Sequence, residues 1–351
     1  MLGMDSVFVG DYPYTYVRGL YLLRELIHKE EYHKLMKMSL PEITKYLEES
    51  VYKEEIDKLA MKYGGVALLE HAFHLNTVKC FEKLRRISSR KVNLVLDCYL
   101  KRMDVYNLKT IIRGKFTKMP DDAVSELLFP IGSMSMEFLS TLIKCNTIRN
   151  VLINSNFLER KDAEKAYKEF EKSGNLFELE NLLDKTNYNF QLSFSKRIRL
   201  KGKKFREFLQ SEIYANNLLT IIRLKKSNLG KEYIVKYLII TGSKKMDAWL
   251  VAIASLKSLD AILEGISKKD KEMYKALMSV REPNSLVEIE MAIKKYLLRK
   301  TLLFQNKYPL SMNIVFGYLL GKEAEIRNLS LIAKGKQFGM DTKLLEGHLV
   351  V

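Results

Sequence analysis

The chain repeats itself three times at a period near 110 residues, and no other feature of the sequence restricts its fold as tightly. Asn107-Leu-Lys-Thr-Ile-Ile-Arg113-Gly-Lys115 returns 110 residues on as Asn217-Leu-Leu-Thr-Ile-Ile-Arg223-Leu-Lys225, and 111 further as Asn328-Leu-Ser-Leu-Ile-Ala-Lys334-Gly-Lys336. A second mark keeps the same step: Leu69-Glu70-His71-Ala72-Phe73, then Leu179-Glu180, then Ile289-Glu290. A third is a helix start, at Ser39, Thr147 and Ser258, each able to cap the free N–H groups of a first turn. Ser39 with Glu42 makes a capping box. A fourth occurs twice, as Gly132-Ser-x-x-Met136 and Gly242-Ser-x-x-Met246. One match in a chain rich in Leu, Ile and Lys means little, but several in one order at one spacing mean triplication.

Common solenoid units run to about 20–50 residues, so units of this length are domain-sized. The expected division is 1–120, 121–230 and 231–351. Three such units either close into a threefold body, with room for a partner on its axis, or run out into an arc.

The local signals are helical throughout. Over Val92–Ile112 the residues Val92, Val95, Leu96, Tyr99, Met103 and Tyr106 recur at three and four, the spacing of one buried helix face. Gly114 is expected to end that helix. Tyr233–Thr241 is rich in β-formers, but its place in the repeat matches Ala123–Ile131 and predicts helix.

With 47% hydrophobic and 29% charged residues, the 351-residue chain has ample material for a core. Its net charge of +17 points to an acidic partner: nucleic acid, anionic lipid or an acidic protein face. Cys80, Cys98 and Cys145 are scattered and form no CxxC pair, which reads as free thiols in a reducing compartment. The N-terminus lacks a basic region followed by an apolar run, so no secretory leader is expected. The longest uncharged run, Tyr308–Gly321, is too short to span a bilayer and fits a core helix.

No GxxxxGK[ST], GxGxxG or GxSxG pattern is present, and no cofactor is expected. His71 and His74 lie three apart beside Glu70 but lack a further clustered ligand, so no metal site is assigned. Glu70, Glu180 and Glu290 either ring a central hole or support their own helices through local ion pairs. Arg113, Lys115, Arg223, Lys225, Lys334 and Lys336 either offset the negative pole of helix ends or present a threefold set of contacts to an acidic partner. Asn107, Asn217 and Asn328 are poor helix-interior residues, and their recurrence predicts a specific hydrogen bond to a neighbouring element. The densest basic stretch, Lys196–Arg206, suits nucleic acid or anionic lipid, or is a solvated loop and helix start.

Asp104-Val-Tyr-Asn-Leu-Lys-Thr-Ile-Ile-Arg-Gly-Lys115 resembles the D-x-x-N-[LI]-K-x-[IL]-[LI]-R-G-K motif of the C-subunit family of archaeal-type (A-type) ATP synthases, to which the d-subunits of vacuolar ATPases also belong. Tyr14-x-x-Val17-Arg18-Gly19, Tyr32–Leu35 and the region of Tyr52 are similar to that family's N-terminal pattern, and the resemblance covers essentially the whole chain. It implies an all-α fold of three similar helical domains in a pseudo-threefold funnel. It also implies a non-catalytic socket, one copy per complex, between central rotor shaft subunits and the membrane proteolipid ring. Such a protein is cytoplasmic, peripheral on the inner face of the cell membrane, and carries no nucleotide, ion or metal site. No nucleic acid is expected as a partner; the alternative reading is a basic helical scaffold for nucleic acid or an acidic membrane surface. The large positive charge is not part of the resemblance.

Overall fold

A computed structural model describes residues 7–9, 12–200, 202–280, 285–307 and 309–350. The described residues are all-α apart from two three-residue strands. In chain order they form β1 (Val7–Val9), α1 (Pro13–Arg24), α2 (Lys29–Leu35), α3 (Leu40–Glu48), α4 (Lys53–Leu59), α5 (Gly65–Ile87), α6 (Arg90–Thr117), α7 (Asp121–Glu126), α8 (Met136–Ile143), α9 (Ile148–Asn154), α10 (Arg160–Ser173) and α11 (Leu176–Arg197). There follow β2 (Ile198–Leu200), α12 (Gly202–Lys226), α13 (Lys231–Tyr237), α14 (Lys244–Ser255), α15 (Leu259–Lys269), α16 (Lys271–Met278), α17 (Leu286–Lys307), α18 (Asn313–Gln337) and α19 (Thr342–His348). β1 and β2 pair in parallel, Val7 with Ile198 and Val9 with Leu200, a pairing the helical reading did not contain. Among the described residues, no helix is long and apolar enough to cross a membrane.

The chain gathers into two compact units. One comprises Met1–Val9, Arg90–Thr220 and Leu229–Ala254; the other Gly10–Ser89, Ile221–Asn228 and Ser255–Val351. In the first, Val105, Leu108 and Ile111 of α6 share a core with Leu139 and Leu142 of α8, Val151 of α9 and Leu179 and Leu183 of α11. In the second, Leu329 and Ile332 of α18 share a core with Tyr32, Leu35, Ile43, Leu47, Tyr52, Leu69 and Phe73, drawn from α2 to α5. Each core therefore joins the long helix bearing the Asn mark to the short helices and the acidic helix of another repeat.

The predicted helix starts are capped. Ser39 and Glu42 form the box at α3, Thr147 Oγ1 accepts from Asn150 N at α9, and Ser258 Oγ accepts from Ala261 N at α15. Each such cap stabilises its helix by about 1 kcal/mol.

The recurrent asparagine makes the same contact three times. Asn107 Nδ2 donates to Phe129 O at 2.7 Å, while Phe129 N–H donates to Asn107 Oδ1 at 2.8 Å. Asn217 holds Ile239 in the same two-way manner at 2.7 and 2.8 Å, and Asn328 holds Val350 at 2.9 and 2.8 Å. Each residue held lies 22 positions downstream. The three asparagines are 0%, 1% and 1% exposed; of the residues they hold, Ile239 and Val350 are buried and Phe129 is half-buried.

Several expectations need correction. Gly114 does not end α6, which continues to Thr117. The left-handed residue is Lys118, with φ 55°. Gly114 instead lets α7 approach, because a Cβ there would overlap Val124, and Gly335 of α18 stands likewise against Leu345 of α19. The stripe on α6 also drifts. Val92, Val95, Leu96 and Tyr99 are buried, but Tyr106 is 44% exposed and Met103 only half-buried. The later buried face runs through Asp104, Val105, Leu108 and Ile111. A 28-residue helix meets different neighbours along its length, so a single face does not persist. In Tyr233–Thr241 the helix stops at Tyr237, and the next residues extend to present Ile239 to Asn217. The two Gly-Ser marks also differ. Gly132 sits against the Asp104 carboxylate, which accepts from Ser133 N at 2.9 Å and Met134 N at 3.0 Å, whereas Gly242 supplies a positive φ of 76°.

Two outcomes are expected. Asn217→Ala leaves the buried N–H and C=O of Ile239 unpaired and should cost about 2–6 kcal/mol in urea unfolding, summing two orphaned groups; a loss under about 0.5 kcal/mol would show the contact to be incidental. Gly335→Ala should destabilise the chain even though alanine is the better helix former by about 1 kcal/mol. Adding Leu345→Ala should recover part of the loss, visible as a non-additive double-mutant cycle.

Candidate partner-contact site

The six recurrent cations sit on the closing turns of α6, α12 and α18. Their surroundings repeat as well as their sequence. In each copy two residues are buried, the next cation is exposed, the following residue is buried and the second cation is half-buried: Ile111 to Lys115, Ile221 to Lys225 and Ile332 to Lys336. Each helix then ends on a left-handed residue at an equivalent position: Lys118, Asn228 and Gly339, with φ of 55°, 57° and 65°. Met119 N–H reaches back to Gly114 O at 2.9 Å and Met340 N–H to Gly335 O at 2.8 Å, the six-to-one bond of a Schellman end.

The exposed cations meet the acids of the second mark. Arg113 clasps Glu180 with both edges of its guanidinium, Nε to Oε1 at 2.6 Å and Nη2 to Oε2 at 2.7 Å. Arg223 lies 3.6 Å from Glu290, and Lys334 lies 2.5 Å from Glu70. Each cation thus reaches the acid of another repeat: the first repeat's cation meets the second's acid, the second's the third's, and the third's the first's. Of the two readings of the glutamates, local pairing is seen at Glu290, which also pairs with Lys294 at 2.6 Å one turn on. Nothing in the composition signalled these pairs. The usable signal was two marks of opposite charge sharing one period, with 67 residues from Arg113 to Glu180 and from Arg223 to Glu290.

The electrostatics agree with the geometry. The hydrogen bonds that its guanidinium donates to Glu180 hold Arg113 above the ordinary arginine range despite partial burial. Burial pushes the Glu290 carboxyl upward, but Lys294, Arg223 and Arg327 together outweigh it and leave the group below its ordinary value. The cationic side chains of Arg113, Arg223 and Lys334 remain 60%, 44% and 52% exposed, so each pair contributes at most about 1 kcal/mol. Lys115 bridges to Asp121 at 2.9 Å. Lys115, Lys225 and Lys336 each stand two residues beyond an exposed cation, half-buried by the turn that ends the helix.

In the basic stretch, Arg206 donates to Ser195 O at 3.0 Å and Lys204 pairs with Glu207 at 3.3 Å, while Lys201 lies outside the described residues. His71 stacks on the Tyr63 ring at 4.0 Å. Among the described residues, no group of three or more His, Cys, Asp or Glu is placed to hold a metal. The three cysteines are free thiols; burial pushes that of Cys98 up to about 12. Tyr308, the first residue of the long uncharged run, also lies outside the described residues, but Asn313–Leu319 of that run is buried on α18.

Comparison with known proteins accounts for nearly the whole chain. The C-subunit of the A-type ATP synthase of Methanococcoides burtonii is 30% identical over 97% of this chain and 95% of its own length. Its namesake from Haloquadratum walsbyi is 32% identical over 90% of this chain and 91% of its own. The one from Halorubrum lacusprofundi is 30% identical over 99% and 100%. The model of the ATP synthase (C/AC39) subunit family matches residues 15–347, which takes in all three copies of the Asn mark and all three clasps. The chain therefore belongs to the ATP synthase (C/AC39) subunit family.

Proposed function

We propose that this chain is the non-catalytic socket of the central stalk in a rotary A/V-type ATP synthase or ATPase. It links the rotor shaft to the membrane proteolipid ring and passes torque between them, coupling proton or sodium transport to ATP synthesis or hydrolysis. The name shared by its relatives supplies the complex. The mechanical part of the reading is carried by one observation, the cyclic order of the clasps. We read the repeats 1–120, 121–230 and 231–351 as three similar walls of a pseudo-threefold funnel; in support, each cation mark pairs with the acid of a different copy, Arg113 with Glu180, Arg223 with Glu290 and Lys334 with Glu70. Such a body offers three similar walls to one axial shaft.

Torque transfer needs a part that does not shear. The buried asparagine contacts tie each long helix to the segment 22 residues beyond it, which favours a stiff wall. The six cations, Arg113, Lys115, Arg223, Lys225, Lys334 and Lys336, are the contact candidates for an acidic face of shaft or ring. The protein is cytoplasmic, peripheral to the membrane and present once per complex, with no cofactor of its own.

Purified chain should release no phosphate from ATP above background; turnover that survives stringent purification and follows mutation of one of its residues would overturn the non-catalytic role. Replacing Arg113, Arg223 and Lys334 together by Gln should leave the isolated chain folded, since exposed pairs are worth about 0–1 kcal/mol each. Native mass spectrometry of the complex reconstituted with its rotor subunits should then show weakened retention of this chain. Unchanged assembly with normal ATP-driven ion pumping would mean that these cations serve only the clasps between repeats.

A further inference from the structure

The first helix carries a surface that neither the clasps nor the asparagine contacts use. Thr15, Gly19 and Leu22 of α1 face inward and are buried. Thr15 Oγ1 donates to Ile87 O at the end of α5 at 3.1 Å, and Gly19 lies against Ile314 of α18, where a Cβ would come within 2.7 Å of its side chain. α1 is therefore seated firmly on two long helices. At about 100° per residue, the opposite side presents Arg24, Val17, Tyr21, Tyr14 and Arg18, in that order, across an arc of about 120°. The middle three are 65% (Tyr14), 60% (Val17) and 55% (Tyr21) exposed. Arg18 and Arg24 are exposed on the two flanks, and the Arg18 guanidinium lies 6.0 Å from the Tyr21 ring centroid.

Along the described residues of α1 the charge is of one sign. α1 contains no acid, and Glu25, which follows it, is engaged by Lys83 at 3.4 Å. The last turn of α5, where Thr15 docks, adds Arg85 and Arg86. The exposed pair Phe116 and Met119 is set differently, being followed by Asp121, Asp122 and Glu126, which would repel an anionic surface. Tyrosine places an apolar ring and a hydrogen-bonding hydroxyl where a bilayer changes from hydrocarbon to headgroup. Arginine beside it extends an aliphatic stem along the interface and pairs its planar fork with phosphate. An apolar stripe bordered by cations is the pattern of a helix that lies on a membrane.

We infer that the outer face of α1 rests on an anionic lipid surface, with Tyr14, Val17 and Tyr21 entering the headgroup interface and Arg18 and Arg24 pairing with lipid phosphates. This contact gives part of the +17 charge a task, and it stands or falls independently of the stalk reading.

The test uses the full chain and vesicles of phosphatidylcholine with or without phosphatidylglycerol. The chain has one tryptophan, so Trp249→Phe combined with Tyr14→Trp places the only indole on the stripe. Its emission should shift to the blue and be quenched by brominated acyl chains with the anionic vesicles, and stay unchanged with phosphatidylcholine alone. In co-sedimentation, which needs no probe, Tyr14→Ser/Val17→Ser/Tyr21→Ser keeps every charge yet should weaken binding at least about tenfold. Arg18→Gln/Arg24→Gln should weaken it and flatten its salt dependence. All five positions are exposed, so the fold is expected to survive, as far-ultraviolet circular dichroism will report. An indole that neither shifts nor is quenched, or a triple serine variant that binds as the parent does, would overturn the inference; the latter would mean that net charge alone adheres to the vesicles.

Discussion

A side-chain amide that pairs in both directions with a single backbone residue sets the geometry of each repeat. A buried N–H and C=O left without partners would cost a few kcal/mol, so the segment beyond each long helix must return to where the asparagine waits. Asparagine alone among residues of its size offers a donor and an acceptor side by side, mimicking the peptide group it meets. Aspartate would lose the donor and bury a charge; leucine would lose both partners. With Phe129, Ile239 and Val350 held in this way, the length of the intervening turn is fixed, and with it the place of the cations that precede it.

The helix ends follow from that return. In the first and third copies the short helix after the turn passes so close that only glycine fits, at Gly114 and Gly335; in the second, Leu224 stands at the equivalent place. The left-handed residue then turns the chain, and the cation one position before the buried residue is left facing outward. Its pairing with an acid of another repeat adds little energy, because both groups stay in contact with water. The pairing adds direction: it selects which helix lies beside which, while the cores supply the stability.

The last long helix differs from its counterparts. Lys322 and Glu325 of α18 are 1% and 2% exposed and paired at 2.7 Å; Lys322 also donates to Tyr52 Oη at 3.0 Å, and Ile27 N–H donates to the other carboxylate oxygen of Glu325 at 2.6 Å. Burial and the neighbouring carboxylate hold the Tyr52 phenol well above its ordinary value, so it remains a donor. A buried ion pair is poor at adding stability but strict about its partners, since removing either leaves an uncompensated charge. It joins α18, late in the chain, to Tyr52 and Ile27 nearer its start.

The sequence by itself determined the all-α class, the triplication, the three capped helix starts and the need of the asparagines for a hydrogen-bonding partner, because each is a local property: periodicity, a capping hydroxyl, a residue out of place in a helix. It also held the motif at 104–115 and, with it, the family. The tertiary structure alone decided what each local feature meets. It made Gly114 a point of close approach instead of a helix end, exposed Tyr106 where the apolar stripe ran on, and ended the helix before Ile239 so that Asn217 could hold it. It also joined two marks that look unrelated in the sequence, Arg113 with Glu180 and Lys334 with Glu70. A period tells which residues are equivalent, but which of them touch depends on how one repeat packs on another, and that is settled by the shape of side chains distant in the chain.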